Sequence, residues 1–234
     1  MMGSLDSVPV PFEAGFLLHT PARLHDRTLL VLALHGYGSN PEAMLRLTLP
    51  AVGQDCVIAS LRGPNQAYVS GKPGMDEIAY NWGTRPHGDV NIRLHHAILR
   101  AVAAELRGRF SIPARRTILM GFSQPVGLNY RFIGTFPDQA GGVIAICGGV
   151  PKDWEEDKYA RVDAPILHIS RSEDEFFPTS VAAGFPDRLR RHAAHLEFHM
   201  LAGGHRFPSK AGPLIEDWLA RWFGSKTKPA PAPA

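Results

Sequence analysis

Short apolar runs, separated by stretches of helical period, recur along this chain and limit its fold more than any other feature. LLVLALHG (residues 29–36), CVIASL (56–61), TILMGF (117–122), GVIAICGG (142–149) and PILHIS (165–170) are apolar almost throughout. A strand with no polar face needs cover on both sides, which is the situation of a parallel sheet held between helices. FLLHT (16–20) and LEFHML (196–201) bring the count to about seven strands. Between them, PEAMLRLTL (41–49) follows Asn40 with proline in its first turn, a good helix start. In VNIRLHHAILRAVAAELRGRF, Ile92, Leu99 and Leu106 recur at seven, with His95, Val102 and Ala103 between them, as on the buried stripe of an amphipathic helix. Further helices are expected over 124–136, 178–192 and PLIEDWLARWF. The predicted fold class is therefore α/β: one domain with a mostly parallel central sheet flanked by helices.

The chain's 234 residues suffice for one substantial core and are short for two. Residues 1–12 read as an N-terminal extension, 13–223 as the folded domain, and 224–234 as a flexible tail rich in proline and alanine. Net charge is only +3, and the arginines are scattered rather than gathered in a stripe, so nucleic acid is not an expected partner. Cys56 and Cys147 both lie in apolar strand-like runs, where a free thiol behaves as a small hydrophobe. No stretch approaches 18 continuous apolar residues, and MMGSLDSVPVPFE lacks a charged leader followed by an apolar core. The default expectation is a cytoplasmic protein, monomeric or homodimeric. Residues 63–88 stand apart: rich in glycine and proline, without a sustained period, they predict a long loop carrying Asn65, Tyr68, Tyr80 and Trp82.

In an open α/β sheet, chemistry collects beyond the C-terminal ends of the strands. Four polar groups fall at such ends here: His35 with Gly36-Tyr37-Gly38, Ser123, the SEDE run, and His205 in GGH. Ser123 sits in GFSQPVG, between a strand and a helix. A turn there exposes the hydroxyl and aims it at the positive end of the helix; the competing reading is a helix cap. A serine hydroxyl becomes a nucleophile only when a base takes its proton, and histidine suits that task. Of eleven histidines, His205 lies in a glycine-rich loop just past the last strand. His95, His96 and His192 read as helix residues, and His168 and His199 as strand residues. A carboxylate would orient the imidazole. SRSEDEFFP offers Glu173, Asp174 and Glu175, and spacing does not choose among them. A tetrahedral intermediate also needs backbone N–H donors. HGYG supplies a compact turn, and the amides of Tyr37 and Gln124 are the natural pair; His35 reads as a brace for that turn. No phosphate-binding loop or metal-ligand spacing stands out, so no cofactor and no metal are expected.

The order serine, acid, histidine is that of the α/β-hydrolases. LALHGYGSNPEAM, GFSQPVG, SRSEDEFFP and LAGGHRFP resemble the matching blocks of the phospholipase/carboxylesterase family, over about residues 13–223. That family includes small bacterial carboxylesterases and eukaryotic acyl-protein thioesterases, all compact and cofactor-free. The resemblance implies Ser123 as nucleophile, Asp174 as the acid and His205 as base, with Tyr37 and Gln124 as oxyanion donors. It implies hydrolysis of small to medium acyl esters, with lysophospholipase or thioesterase activity as the alternative within the class. A binding protein that has kept the fold without efficient hydrolysis is a further alternative. The region of Tyr80, Asn81 and Trp82 resembles one that helps wall the acyl pocket in relatives, so Trp82 is a candidate substrate contact; the other reading is a tryptophan that packs the loop onto the body. Trp154, in residues 151–163, is a second candidate for the rim. One departure is clear. Where the family pattern is close to G-F-S-Q-G-G, this chain has Pro125 and Val126. Proline restrains the residue before it, here Gln124, and the expectation is an elbow that forms with Pro125 in the first helical turn.

Overall fold

A computed structural model describes residue 8 and residues 10–69, 77–84 and 88–224. Most of the N-terminal extension, Arg85 and His87 of the expected loop, and the tail from residue 225 lie outside the described residues.

Seven strands form one sheet: β1 (Phe16–His19), β2 (Leu30–Leu34), β3 (Val57–Leu61), β6 (Thr117–Phe122), β7 (Gly142–Ile146), β8 (Ile166–Arg171) and β9 (Leu196–Leu201). The order across the sheet is β1-β3-β2-β6-β7-β8-β9, with β1 antiparallel to β3 and the other neighbours parallel. β2 shows why its sequence is apolar throughout. Leu30, Leu32 and Leu34 pack into the core under α2 (Gly88–Phe110) and α3 (Gln124–Thr135), while Val31 and Ala33 enter the core under α1 (Pro41–Val52) and α6 (Ala211–Phe223). Both faces are buried, so the period of two carries no polar residue. The Asn40 side chain accepts from Ala43 N at 2.8 Å and caps α1. On α2, His95, Ile98, Leu99, Val102, Ala103 and Leu106 form the buried stripe. β3 and β6 lie on opposite sides of β2, so the chain reverses its direction of travel between β2 and β6. HGYG and Ser123 follow the C-terminal ends of those two neighbouring strands, where chemistry collects in open α/β sheets.

Two expectations change. The expected loop carries two strands: β4 (Asn65–Val69) and β5 (Glu77–Asn81) pair antiparallel as a separate two-stranded sheet, with Tyr68 opposite Ile78. Every residue of β4 is exposed, so no buried face imposes the alternation that would have marked it as a strand. The helix expected over 178–192 is two short ones, α4 (Thr179–Ala182) and α5 (Phe185–Leu189), broken around Gly184 and Pro186, which weaken and interrupt the helical ladder. Among the described residues, no helix is long and apolar enough to cross a membrane.

Several histidines are part of the core. His168 on β8 is fully buried, with Nδ1 2.7 Å from the Tyr130 hydroxyl and Nε2 3.0 Å from Ser170 Oγ. Burial pushes its pKa down to about 3. His95 is held well below its usual value by burial and by neighbouring His96, and His96 is lowered to about 4 by burial and Arg131. These groups stay neutral in the fold but take up protons in the unfolded chain near pH 6.5. Their stabilisation is therefore complete above pH 6.5 and is lost as pH falls toward the folded values. Urea unfolding between pH 6.5 and 5, above the carboxylate range, should show each contributing a loss of about 1.4 kcal/mol per pH unit at full titration. Stability that stays flat over that window would contradict it.

Candidate active site

β6 delivers Ser123 into a turn with φ 64° and ψ −114°, a conformation that a non-glycine residue adopts only when its surroundings enforce it. Ser123 N donates to Ile146 O on the neighbouring strand at 2.8 Å. Its hydroxyl makes no capping bond to α3; it lies instead 2.8 Å from His205 Nε2. Pro125 occupies the first turn of α3, where a backbone N–H has no helical partner to lose. The turn is closed by Val126 N donating to Ser123 O at 3.1 Å. Gly121 sits close to Asn129: a Cβ there would stand 2.9 Å from Asn129 Nδ2, so that side chain would have to shift.

The opposite edge of the His205 ring, Nδ1, lies 2.8 Å from Asp174 Oδ2. Asp174 is buried, and its Oδ1 accepts the backbone N–H groups of Phe176 and Phe177, each at 2.9 Å. Both carboxylate oxygens are thus committed, which fixes the side chain beside the ring. The geometry separates the three acids that the sequence left open. Glu173 is exposed, Asp174 meets the imidazole, and Glu175 Oε2 accepts the backbone N–H of His205 at 3.1 Å. Phe122, Phe176 and Phe177 surround the imidazole, with Phe176 edge-on at a centroid distance of 4.7 Å. Glu175 is a residue that sequence reasoning weighed only as a rival acid; no sequence signal tells a carboxylate that holds a ring from one that holds a loop. Its bond to His205 N is solvent-exposed, where such contacts are weak. Glu175→Gln, which keeps an acceptor, should alter kcat/KM for an activated ester by less than about fivefold, and Glu175→Ala should lower it more than the glutamine variant does.

At the end of β2, His35 is buried. Its Nδ1 lies 2.7 Å from Gly36 O, and its Nε2 accepts from Gly63 N at 3.0 Å. Burial lowers its pKa. It braces the turn, as its sequence position suggests. Tyr37 follows and is 67% exposed. The amides of Tyr37 and Gln124 donate to no backbone or side-chain group among the described residues. The Gln124 side chain, by contrast, is tied at both ends: Oε1 accepts from Trp82 N at 2.8 Å and Nε2 donates to Gly83 O at 2.9 Å. Trp82 has no exposed surface, and its indole N–H donates to His35 O at 2.8 Å. It packs the loop onto the body and leaves no face for a substrate. Trp154 is buried as well, against Tyr130, Tyr159 and His192, and forms no rim. Among the described residues no cluster of three histidine, cysteine or acidic side chains could hold a metal ion.

The model of the phospholipase/carboxylesterase family matches residues 20–222. This chain belongs to that family. No curated protein matches it significantly by sequence. Among solved structures it is similar to esterase PE8, at 20% identity and a TM-score of 0.69, covering 90% of this chain and 100% of that one. It is similar also to the Bacillus cereus carboxylesterase, at 14% identity and a TM-score of 0.72, covering 90% and 95%. A carboxylesterase from Mesorhizobium loti gives 17% identity and a TM-score of 0.70, covering 88% and 93%. These likenesses show the α/β-hydrolase fold that the phospholipase/carboxylesterase family shares, and ester hydrolysis is the general reaction that membership supports.

Proposed function

We propose that this protein is a serine carboxylesterase that hydrolyses small to medium acyl esters through an acyl-enzyme. One observation carries the reading: an unbroken line of hydrogen bonds from Ser123 Oγ through His205 to the buried Asp174, 2.8 Å at each link. Neutral His205 takes the Ser123 proton on Nε2 as Oγ bonds to the acyl carbon and the carbonyl electron pair moves onto oxygen. Asp174 holds the tautomer with its proton on Nδ1 and stabilises the imidazolium. The amides of Tyr37 and Gln124, free among the described residues, receive the oxyanion, and the latter stands at the positive end of α3. Collapse of the intermediate breaks the ester C–O bond, and the leaving alkoxide takes the proton from His205. Water repeats the cycle on the acyl-enzyme and frees the acid and Ser123.

The closed first turn of α3 and the short Ser123–His205 contact favour catalysis over a role confined to binding, despite Pro125. The test of substrate class is kcat/KM across nitrophenyl esters from acetate to palmitate, together with the matching thioesters. The expected optimum falls among the short and medium oxygen esters. An optimum at palmitate, or with thioesters, would favour a lysophospholipase or thioesterase instead.

A further inference from the structure

The two amides assigned to the oxyanion come from separate segments. Tyr37 belongs to the turn after β2, and Gln124 opens α3. The strands that precede them are paired only as far as Leu34 and Gly121. Beyond that point a third segment, Tyr80 to Gly83 at the end of the hairpin, bonds to both. Toward the first turn, Trp82 Nε1 donates to His35 O at 2.8 Å, Gly38 N to Tyr80 O at 3.0 Å, and Tyr80 N to Ser39 O at 2.8 Å, so Tyr37 is held on both sides. Toward the elbow, Trp82 N donates to Gln124 Oε1 at 2.8 Å and Gln124 Nε2 donates to Gly83 O at 2.9 Å. Trp82 and His35 are buried, so the bonds that join the two segments through the indole are shielded from competing water.

We propose that Trp82 and the side chain of Gln124 are positioning residues that set the separation and aim of the Tyr37 and Gln124 amides, with the Tyr80–Gly83 segment as a splint between them. The proposal rests on the esterase reading above and assigns a task to residues that reading does not use. An oxyanion donor acts chiefly on the transition state, so misplacing it lowers kcat and leaves KM nearly unchanged. Removing one donor costs about 100- to 1,000-fold and a shift near 1 Å about 100-fold, so loosening the splint should cost roughly 10- to 100-fold.

The experiment compares the full-length wild type with Trp82→Phe, which keeps an aromatic core but loses the bond to His35 O, and with Gln124→Glu, which keeps the acceptor for Trp82 N but loses the donor to Gly83 O. Ser123→Ala serves as the inactive reference. Three quantities are read for each on nitrophenyl acetate: kcat, KM, and inhibition by phenylboronic acid, whose serine adduct is tetrahedral. Melting curves identify a variant that has not folded; if Trp82→Phe is such a variant, Gln124→Glu decides. The expected result is a roughly 10- to 100-fold fall in kcat with weaker boronate binding in proportion and KM within about threefold. Retention of kcat within about twofold in folded variants, or a loss confined to KM, would overturn the splint while leaving Ser123-dependent hydrolysis intact. A wild type whose hydrolysis does not depend on Ser123 would overturn the esterase reading and the splint with it.

Discussion

Ser123→Ala should lower kcat for an activated acetate ester by about 10,000-fold or more, and His205→Ala by a comparable factor, with the double variant little worse than either single one. The two residues act as one unit. Without His205 the Ser123 hydroxyl keeps its proton at neutral pH, and without Ser123 the base has no covalent step to assist. Losses in such a unit do not add, and the residual rate comes from the oxyanion donors and substrate binding. Asp174→Asn belongs to the same prediction. It preserves the size of a buried group but reverses the donor and acceptor toward His205 Nδ1, which favours the wrong tautomer, so a loss of about 1,000- to 10,000-fold is expected. Steady-state kinetics on purified variants, with folding checked by circular dichroism, measure all four. A double variant far slower than both singles would mean that the residues act in separate steps.

The second large effect concerns the departure from the family pattern. Val126 is fully buried and packs against Gly148, just past the end of β7. A Cβ at Gly148 would stand 2.3 Å from Val126 Cβ and 2.6 Å from Ser123 O. Neither neighbour can yield cheaply, because Ser123 O accepts from Val126 N in the first turn and Ser123 N is bonded to Ile146 O. Gly148→Ala should therefore destabilise the fold by about 2–3 kcal/mol and, by displacing the elbow near 1 Å, lower kcat about 100-fold. Val126→Gly in the same chain removes the side-chain clash but not the clash with the backbone oxygen, so the double variant should regain part of the stability lost. Denaturant unfolding and kcat for the two single variants and the double one form the cycle. Strict additivity would mean that Val126 and Gly148 are not coupled, contrary to their packing.

The five central strands are legible because they are buried on both faces, which forces runs such as LLVLAL and TILMGF to be apolar whatever their register. β4 is illegible for the opposite reason, since an exposed strand held mainly by its partner's backbone places no demand on its side chains. Ser123 and His205 can be found because each stands where a strand ends in a glycine-rich turn. The acid is harder: Glu173, Asp174 and Glu175 share one turn, and their roles follow from which way each side chain leaves it. Trp82 shows the limit most plainly. Composition marks an aromatic residue in a loop near the site, but burial of the indole and its bond to His35 O depend on contacts across 47 positions of the chain. The side-chain bonds of Gln124, 41 and 42 positions from their partners, leave no local trace either.

On the esterase reading, Ser123 is the residue that becomes acylated. A fluorophosphonate probe bonds covalently to an activated serine, and peptide mass mapping locates the adduct. The wild type should carry one adduct on the peptide containing GFSQPVG, assigned by fragmentation to Ser123, and Ser123→Ala should carry none. An adduct on a different residue, or labelling of the alanine variant at the wild-type rate, would contradict acylation at Ser123.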